Sequence, residues 1–453
     1  MVGPQSLHVG QSLQDGRRPR LAVVLDFGAA SPMSILAAAR GLTDVVFLCD
    51  RNLSYVRAMA DDLGDIATVC DITDLDEAAV LDRIEHLDLD GVTTFSESQL
   101  NHTAALAHGR GWAFLSPPAA EALTDKFTQR RILAEAGVQA TRCRVVRAVA
   151  DLDTALAEVG LPAILKPRSG AASAYTCRVD TLAEAAARLQ DFLARIPASS
   201  RGDFPASSRG DFPASSRGDF VVEEILLGDP SVAGAGWGDY VSVESATSDG
   251  VVRHVEITGK FPLAPPLRET GYFVPSTLAP AVRQQVLDLT EAGILALGMR
   301  HGVTHVEVKL TPAGPRIIEI NGRLGGYVAD IIRRARRFDL VRAALTVALG
   351  RPVDVPPAGY RRYAFQYFIT PPMDAVALRR LDGVDELSRY PGIHLVEIFK
   401  AAGQHLDWRN GTLVYLGIVH GSARDHEGVA SLIDLVDKTL EITYEMISED
   451  GTG

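Results

Sequence analysis

Cysteine is scarce, with four residues in 453. Cys49, Cys70, Cys143 and Cys177 are scattered without metal-ligand spacing, so neither a disulfide framework nor a zinc module is expected. They read as reduced, mostly buried thiols. No run of about eighteen consecutive apolar residues occurs, so no membrane span is expected. The N-terminal stretch MVGPQSLHVGQSLQDGRRPR lacks an apolar core of the secretory type and reads as a disordered lead over residues 1–19, which points to the cytoplasm. A basic excess is missing too: 45 Lys and Arg stand against 57 Asp and Glu, giving a formal charge of −12. That balance argues against a general nucleic-acid binder. The sequence has no G-x-G-x-x-G and no G-x-x-x-x-G-K-S/T, so neither a dinucleotide fingerprint nor a Walker A loop is present. No Ser–His–Asp or Cys–His arrangement stands out.

What is present is ordinary globular material, 47% hydrophobic and 23% charged. At this length about two to four packed units are expected. One stretch organises the rest: HVEVKLTPAGPRIIEINGRLGGYVAD, His305 to Asp330. Val306, Val308 and Leu310 alternate with Glu307, which predicts a strand with the carboxylate on the opposite face. A turn is predicted over Pro312 to Pro315. A return strand follows over Arg316 to Asn321, with Glu319 and Asn321 sharing a face. Its register could set Glu307 beside Glu319. Two adjacent carboxylates repel, and a divalent cation relieves that repulsion. Hard oxygen ligands suit Mg²⁺ shared with phosphate. Arg323 can supply positive charge where an anion develops. On spacing alone the pair reads equally well as the solvated face of a surface hairpin.

Upstream, LAVVLD (Leu21 to Asp26), VVFLC (Val45 to Cys49) and GVTTF (Gly91 to Phe95) read as buried parallel strands separated by helices, a doubly wound layer. The Gly28 turn could hold an anion at a helix N-terminus. Ser96-Glu97-Ser98 lies where ligands collect in such sheets; Glu97 reads either as a contact for a substrate amine or as a first-turn carboxylate beside a Ser96 cap. Ser116-Pro117-Pro118 marks a boundary. Lys126 opens a helix that stops at Gly137. Lys166 ends the strand LPAILKP and is followed by the small-residue loop Arg168 to Ser173, which can present an ammonium and backbone N–H groups to phosphates. A helix is predicted over Thr181 to Leu193.

PASSRGDF then occurs three times in tandem, from Pro197 to Phe220. Such copies cannot bury a core of their own and predict a solvated loop. Its Arg-Gly-Asp triplets read as coincidence. Strands are predicted over Val221 to Leu226, Val241 to Ser245 and Val251 to Thr258, the last two joined at Ser248-Asp249-Gly250. Lys260, Arg268 and Glu269 sit in loop-like sequence and read equally as plain polar residues. A helix is predicted over Ala279 to Leu297 and mostly helix over Tyr327 to Leu349, where Asp330 either caps the start or meets ligand. After Pro352 to Pro357, strands at Tyr363 to Ile369, His394 to Phe399 and Leu413 to His420 and a helix over Val429 to Ile447 suggest an α+β unit. His394 and His420 read as packed or solvent-facing residues.

The ordered set E-x-K-L…E-I-N-x-R, with two lysines upstream, resembles the ATP-grasp superfamily of carboxylate–amine ligases. Gly325-Gly326 after Arg323 resembles the L-amino-acid ligase (dipeptide synthase) branch. The resemblance spans roughly Val92 to Leu345. It implies an α/β and α+β multidomain chain with the ATP-grasp fold. A Rossmann-like pre-ATP-grasp domain would occupy 20–116 and the ATP-grasp domain 117–350. That domain would carry a lid at about 141–226, with the repeat loop 197–220 inside it. A C-terminal α+β cap would occupy 351–453. It further implies that Lys126, Lys166 and Ser173 meet phosphates and that Glu223, Glu224 and Leu226 meet adenine. Glu307, Glu319 and Asn321 would hold Mg²⁺, with Mn²⁺ as an alternative, and Asn321 would also face the nucleotide. Arg323, Glu269 and Lys260 would serve the reacting groups, and Gly325 and Gly326 would let the backbone approach substrate. The ribose contact is left open around Gly228 to Ser231.

The implied reaction joins a carboxylate to an amine at the expense of ATP, through an acyl phosphate. Amino acids are the expected substrates, with neither nucleic acid nor membrane as partner and a homodimer left open. Two rivals stand beside it: a biotin-carboxylase-like enzyme using bicarbonate, and a catalytically inactive nucleotide-binding regulator.

Overall fold

A computed structural model describes residues 17–195 and 219–447. The expected lead up to residue 16 and the octapeptide loop from 197 to 218 lie outside the described residues. The chain opens with four parallel strands, β1 (Arg20–Leu25), β2 (Asp44–Cys49), β3 (Thr68–Asp71) and β4 (Gly91–Thr94), ordered β3-β2-β1-β4. Leu21, Val23 and Leu25 of β1 pack on one side with Ile35 and Leu345; Ala22 and Val24 pack on the other with Val80 and Leu106. Helices on both faces explain why β1 is a continuous apolar run. Sequence reading passed over β3, which is short and half-exposed.

A smaller antiparallel sheet follows: β5 (Cys143–Val146), β6 (Ala163–Pro167), β7 (Cys177–Val179) and β8 (Phe220–Glu224), in the order β5-β8-β6-β7. The helix Leu182–Arg195 covers it through Leu189 and Phe192. This unit is joined to the preceding helix Lys126–Glu135, whose N-cap Asp125 accepts from the Thr128 amide at 3.0 Å. Gly137, at φ +70°, ends that helix in the left-handed conformation.

The largest sheet is eight-stranded. It begins with β9 (Tyr240–Ser248), β10 (Val251–Lys260), β11 (Gly271–Val274), β12 (Gly302–Thr311) and β13 (Gly314–Asn321). Asp249 and Gly250, at φ +52° and +79°, make the β9–β10 turn. The sheet continues through β14 (Tyr363–Phe368); β15 (Ala375–Asp382) lies outside it, and β16 (Ile393–Ile398) and β17 (Gly417–Ala423) complete it, in the order β13-β12-β9-β10-β11-β14-β17-β16. Finally β18 (Glu441–Met446) pairs with β15.

Two C-terminal expectations are corrected. The terminal helix is His426–Thr439, not 429–447: from Glu441 onward the sequence alternates with period two, and Ile442 and Tyr444 turn inward as a strand. The segment from Leu413 becomes strand only at Gly417, because Trp408–Val414 is a 3₁₀ segment kinked at Gly411. The stretch from Tyr327 to Leu349 is mostly helix as expected, in two pieces, Val328–Arg336 and Leu340–Ala348, broken where Arg337 adopts φ +59° and Asp339 caps the second. Cys49, Cys143 and Cys177 are buried, and all four cysteines are free. No described helix is long and apolar enough to cross a membrane.

Candidate active site

A cleft of about 1550 Å³ runs between the first layer, the small sheet and the large sheet. Its floor is the β12–β13 hairpin. Val306, Val308 and Leu310 face the core at 0–1% exposure, which turns His305, Glu307 and Lys309 toward the cleft. In register, Glu307 lies opposite Glu319 and His305 opposite Asn321. The pairing slips at Ile318, between Val308↔Ile317 and Glu307↔Glu319. That bulge lets Ile317 stay in the core while Glu319, two residues on, lines the cleft.

The two lysines, 40 residues apart in sequence, line the same cleft. Lys126 is buried at its helix start; its Nζ lies 3.1 Å from Glu319 Oε1 and donates to the Gly170 carbonyl at 2.7 Å. Burial pulls its pKa down, but Glu319, Glu97 and Glu223 together outweigh this and raise it, so it is an ammonium. Lys166, on β6, pairs with Glu223 of β8. Arg130 completes that cluster, its Nε 3.1 Å from Glu223 Oε2. Burial pushes the Glu223 carboxyl up, yet Arg130 and Lys166 hold it at about 2. Glu224 pairs with Arg142 at 2.9 Å, and Leu226 lies on the wall. Ser173 lies on the wall at φ +56°, in a loop where Ala172 and Tyr175 also adopt positive φ.

Asn321 is buried and donates from Nδ2 to the His305 carbonyl at 3.2 Å. Arg323 is held by Glu97, Nη2 to Oε2 at 2.8 Å and Nε at 3.1 Å. Glu97 thus meets a guanidinium, and Ser96 makes no capping bond, its hydroxyl lying 2.8 Å from that of Ser98. Glu269 lines the cleft and accepts from the Tyr272 hydroxyl and from Lys260 Nζ, both at 2.7 Å. Lys260 itself lies behind the wall at 1% exposure, 4.0 Å from the Tyr272 ring centre, rather than in the cleft. Arg268 is also buried away from it and donates to the Pro265 carbonyl at 2.7 Å. Asp330 lines the cleft without capping its helix; it pairs with Arg334 at 2.6 Å and Arg333 at 3.1 Å. His394 binds Ser422 and His420 binds Glu397, at 2.7 and 2.8 Å. Gly326 opens on the cleft, whereas Gly325 makes its close approach to His305: a Cβ there would sit 2.5 Å from Nδ1.

Sequence reading missed His305, Lys309, Tyr240 and Tyr272, which all line the cleft. Lys309 had a legible signal, since it stands two residues from Glu307 on the same strand face; it pairs with Asp239 at 2.6 Å. Gly228 to Ser231 do not line the cleft.

The opposed carboxylates of Glu307 and Glu319, with Asn321 beside them, form a donor set of hard oxygens. Such a set fits Mg²⁺ or Mn²⁺. Burial pushes the Glu307 carboxyl up, but His305, Lys260 and Arg323 hold it at about 2, so it is ionised. Cation binding to Glu319 would compete with its contact to Lys126.

Residues 159–330 match the family model described as ATP-grasp domain. Human carnosine synthase 1 is 30% identical over 294 residues, 60% of this chain and 32% of that protein. Alanine–anticapsin ligase of Bacillus subtilis (strain 168) is 27% identical over 275 residues, 59% of this chain and 56% of that one. The alignments thus span about a third to a little over half the length of these curated relatives. A crystal structure of an L-amino acid ligase from Bacillus licheniformis superposes with a TM-score of 0.71 at 21% identity, covering 95% of this chain and 99% of that chain. The two-lysine cleft, the paired-carboxylate hairpin and these likenesses converge: the chain carries an ATP-grasp domain and has the ATP-grasp fold.

Proposed function

We propose that this protein is an ATP-dependent carboxylate–amine ligase that joins amino acids through an acyl phosphate, releasing ADP and phosphate. The observation that supports it most is the register pair Glu307–Glu319 lining one cleft with Lys126 and Lys166. The named relatives, one a carnosine synthase and one an alanine–anticapsin ligase, support the same class.

Lys126, Lys166 and the Gly170–Ser173 loop hold the phosphates of ATP, and the β8 end from Glu223 to Leu226 takes the adenine. Glu307, Glu319 and Asn321 would hold Mg²⁺, which would supply charge neutralisation for phosphoryl transfer. A substrate carboxylate oxygen attacks the γ-phosphorus, and the bond to the β,γ-bridging oxygen breaks, leaving ADP and an acyl phosphate. The amine, having passed one ammonium proton to the Glu269 carboxylate, attacks the acyl carbon, and its second proton leaves with the departing phosphate. The tetrahedral oxyanion lies against Arg323, and phosphate leaves as the amide forms. Glu269, braced by Lys260 and Tyr272, receives the ammonium of the amine substrate. Water is kept out by the small sheet and its phosphate loop, because it would hydrolyse the acyl phosphate.

Purified protein incubated with ATP, Mg²⁺ and pooled amino acids tests this. ADP together with a new amide mass is expected. ADP release that depends on bicarbonate alone overturns the ligase reading in favour of a carboxylase. Nucleotide binding with no ADP under any acceptor overturns it in favour of a regulator. Glu319→Ala is expected to abolish ADP formation with the fold intact by circular dichroism.

A further inference from the structure

Behind the metal-side hairpin lies a second carboxylate that the ligase chemistry does not use. Glu244, on β9, is fully buried and stands in register with His305 on β12. A buried carboxylate is costly unless it is partnered. Here its Oε1 meets His305 Nδ1, and its Oε2 accepts from the Gly325 amide at 3.3 Å. The other ring nitrogen, Nε2, faces Glu307 Oε1 at 3.6 Å. Three residues on two neighbouring strands thus form a line, Glu244 to His305 to Glu307, that ends on a proposed cation ligand. Gly325 closes the line from the side: its missing Cβ makes room for the ring.

We infer that His305, clamped by Glu244 and Gly325, is a positioning residue that fixes the carboxylate of Glu307 for the divalent cation. A core plug would be served at least as well by an apolar side chain of the same volume. A plug also would not need its second nitrogen aimed at Glu307. A ligating carboxylate held by an outer partner typically loses about 10–100-fold in metal affinity when that partner is removed. The same Glu244 clamp holds the Gly325 amide, two residues from Arg323, so the cation side and the oxyanion side share one brace.

The inference rests on the ligase reading of the cleft, and the test separates the two. Mn²⁺ binding to the full chain with ADP is measured by water-proton relaxation, beside the melting temperature. His305→Asn puts an amide near the Nδ1 position, keeping a partner for Glu244 but not reaching Glu307. His305→Gln reaches toward Glu307 and leaves Glu244 poorly matched. The expected result is a Mn²⁺ affinity at least tenfold weaker in His305→Asn, with its melting temperature nearly kept. In His305→Gln the affinity stays within about threefold while the melting temperature falls. Equal losses of affinity in both variants, or none in His305→Asn, overturn the inference and leave the ligase reading standing. Absence of ADP-dependent Mn²⁺ binding in the unsubstituted protein overturns the reading itself. Should His305→Asn fail to fold, Glu244→Leu replaces it, removing the acceptor on Nδ1 at similar volume; unchanged Mn²⁺ affinity there overturns the inference.

Discussion

Arg323 and Glu97 meet at 2.8 Å across 226 positions of sequence, joining the residue after the paired-carboxylate hairpin to the carboxyl end of the first parallel sheet. Both side chains are largely shielded, at 15% and 8% exposure. Breaking such a pair from one side leaves an uncompensated charge, which costs about 3–5 kcal/mol. Glu97→Ala is therefore expected to lower the melting temperature by several degrees and to depress amide formation more than ADP release, because Arg323 is proposed to act on the second half-reaction. Product masses beside ADP yield check this; equal loss of both would remove Arg323 from the second step.

Acid should act through Glu223. Its carboxyl is held at about 2 in the fold against an ordinary 4.5. The depressed value means that its contribution is fully present above about pH 4.5 and is lost as the pH falls toward 2. Urea denaturation across that window should show stability falling by a few kcal/mol on account of this one cluster. Glu223→Gln should be weaker at pH 7 and flatter below pH 4.5. A slope equal to that of the unsubstituted protein would show that the Glu223 carboxyl is not its source.

A third prediction concerns Gly411. This residue, at φ +62°, leaves no room for a Cβ, which would fall 2.1 Å from the Ala172 carbonyl oxygen of the phosphate-side loop. Around it the Thr412 amide donates to Ala172 and the Tyr175 amide donates to Arg409, both at 2.8 Å. Arg409 also pairs with Asp191 at 2.7 Å, and Trp408 packs with the core of the small sheet. Gly411→Ala is expected to displace the 170–175 loop, raising KM for ATP several-fold with a smaller effect on kcat. Faster amide exchange at Ala172–Tyr175 would accompany it; unchanged exchange there would dissociate the loop from the C-terminal segment.

The sequence made parts of this site legible and hid others for physical reasons. Alternation around Glu307 announced both the strand and its outward carboxylate, because a strand buried on one face needs Val306, Val308 and Leu310 on that face. The meeting of Glu307 with Glu319 was readable as a possible register, but the bulge at Ile318 that secures it leaves no mark in composition. The Glu244–His305 contact could not be read at all, since it depends on β9 lying beside β12 across 61 residues. Lys260 and Arg268 were ambiguous in sequence, readable equally as substrate-side residues or as plain loop charges. Here β10 runs through to Lys260 and buries it under Tyr272. The strand β18 was hidden by its helix: nothing but a period-two alternation from Glu441 onward sets it apart from His426–Thr439.

The eight-stranded sheet does not stop where the sequence changes character near Pro352. β11 hydrogen-bonds to β14 over Gly271↔Tyr367 through Val274↔Ala364, so one ladder carries the part of the sheet that floors the cleft into the C-terminal third. A protein cut at residue 351 would present β11 as a bare edge, with unpaired amides and carbonyls inviting association. Such a fragment should aggregate rather than fold as a smaller enzyme. Chimeras with relatives would have to exchange both strands of that seam together, because the seam cannot be sewn from halves that grew apart.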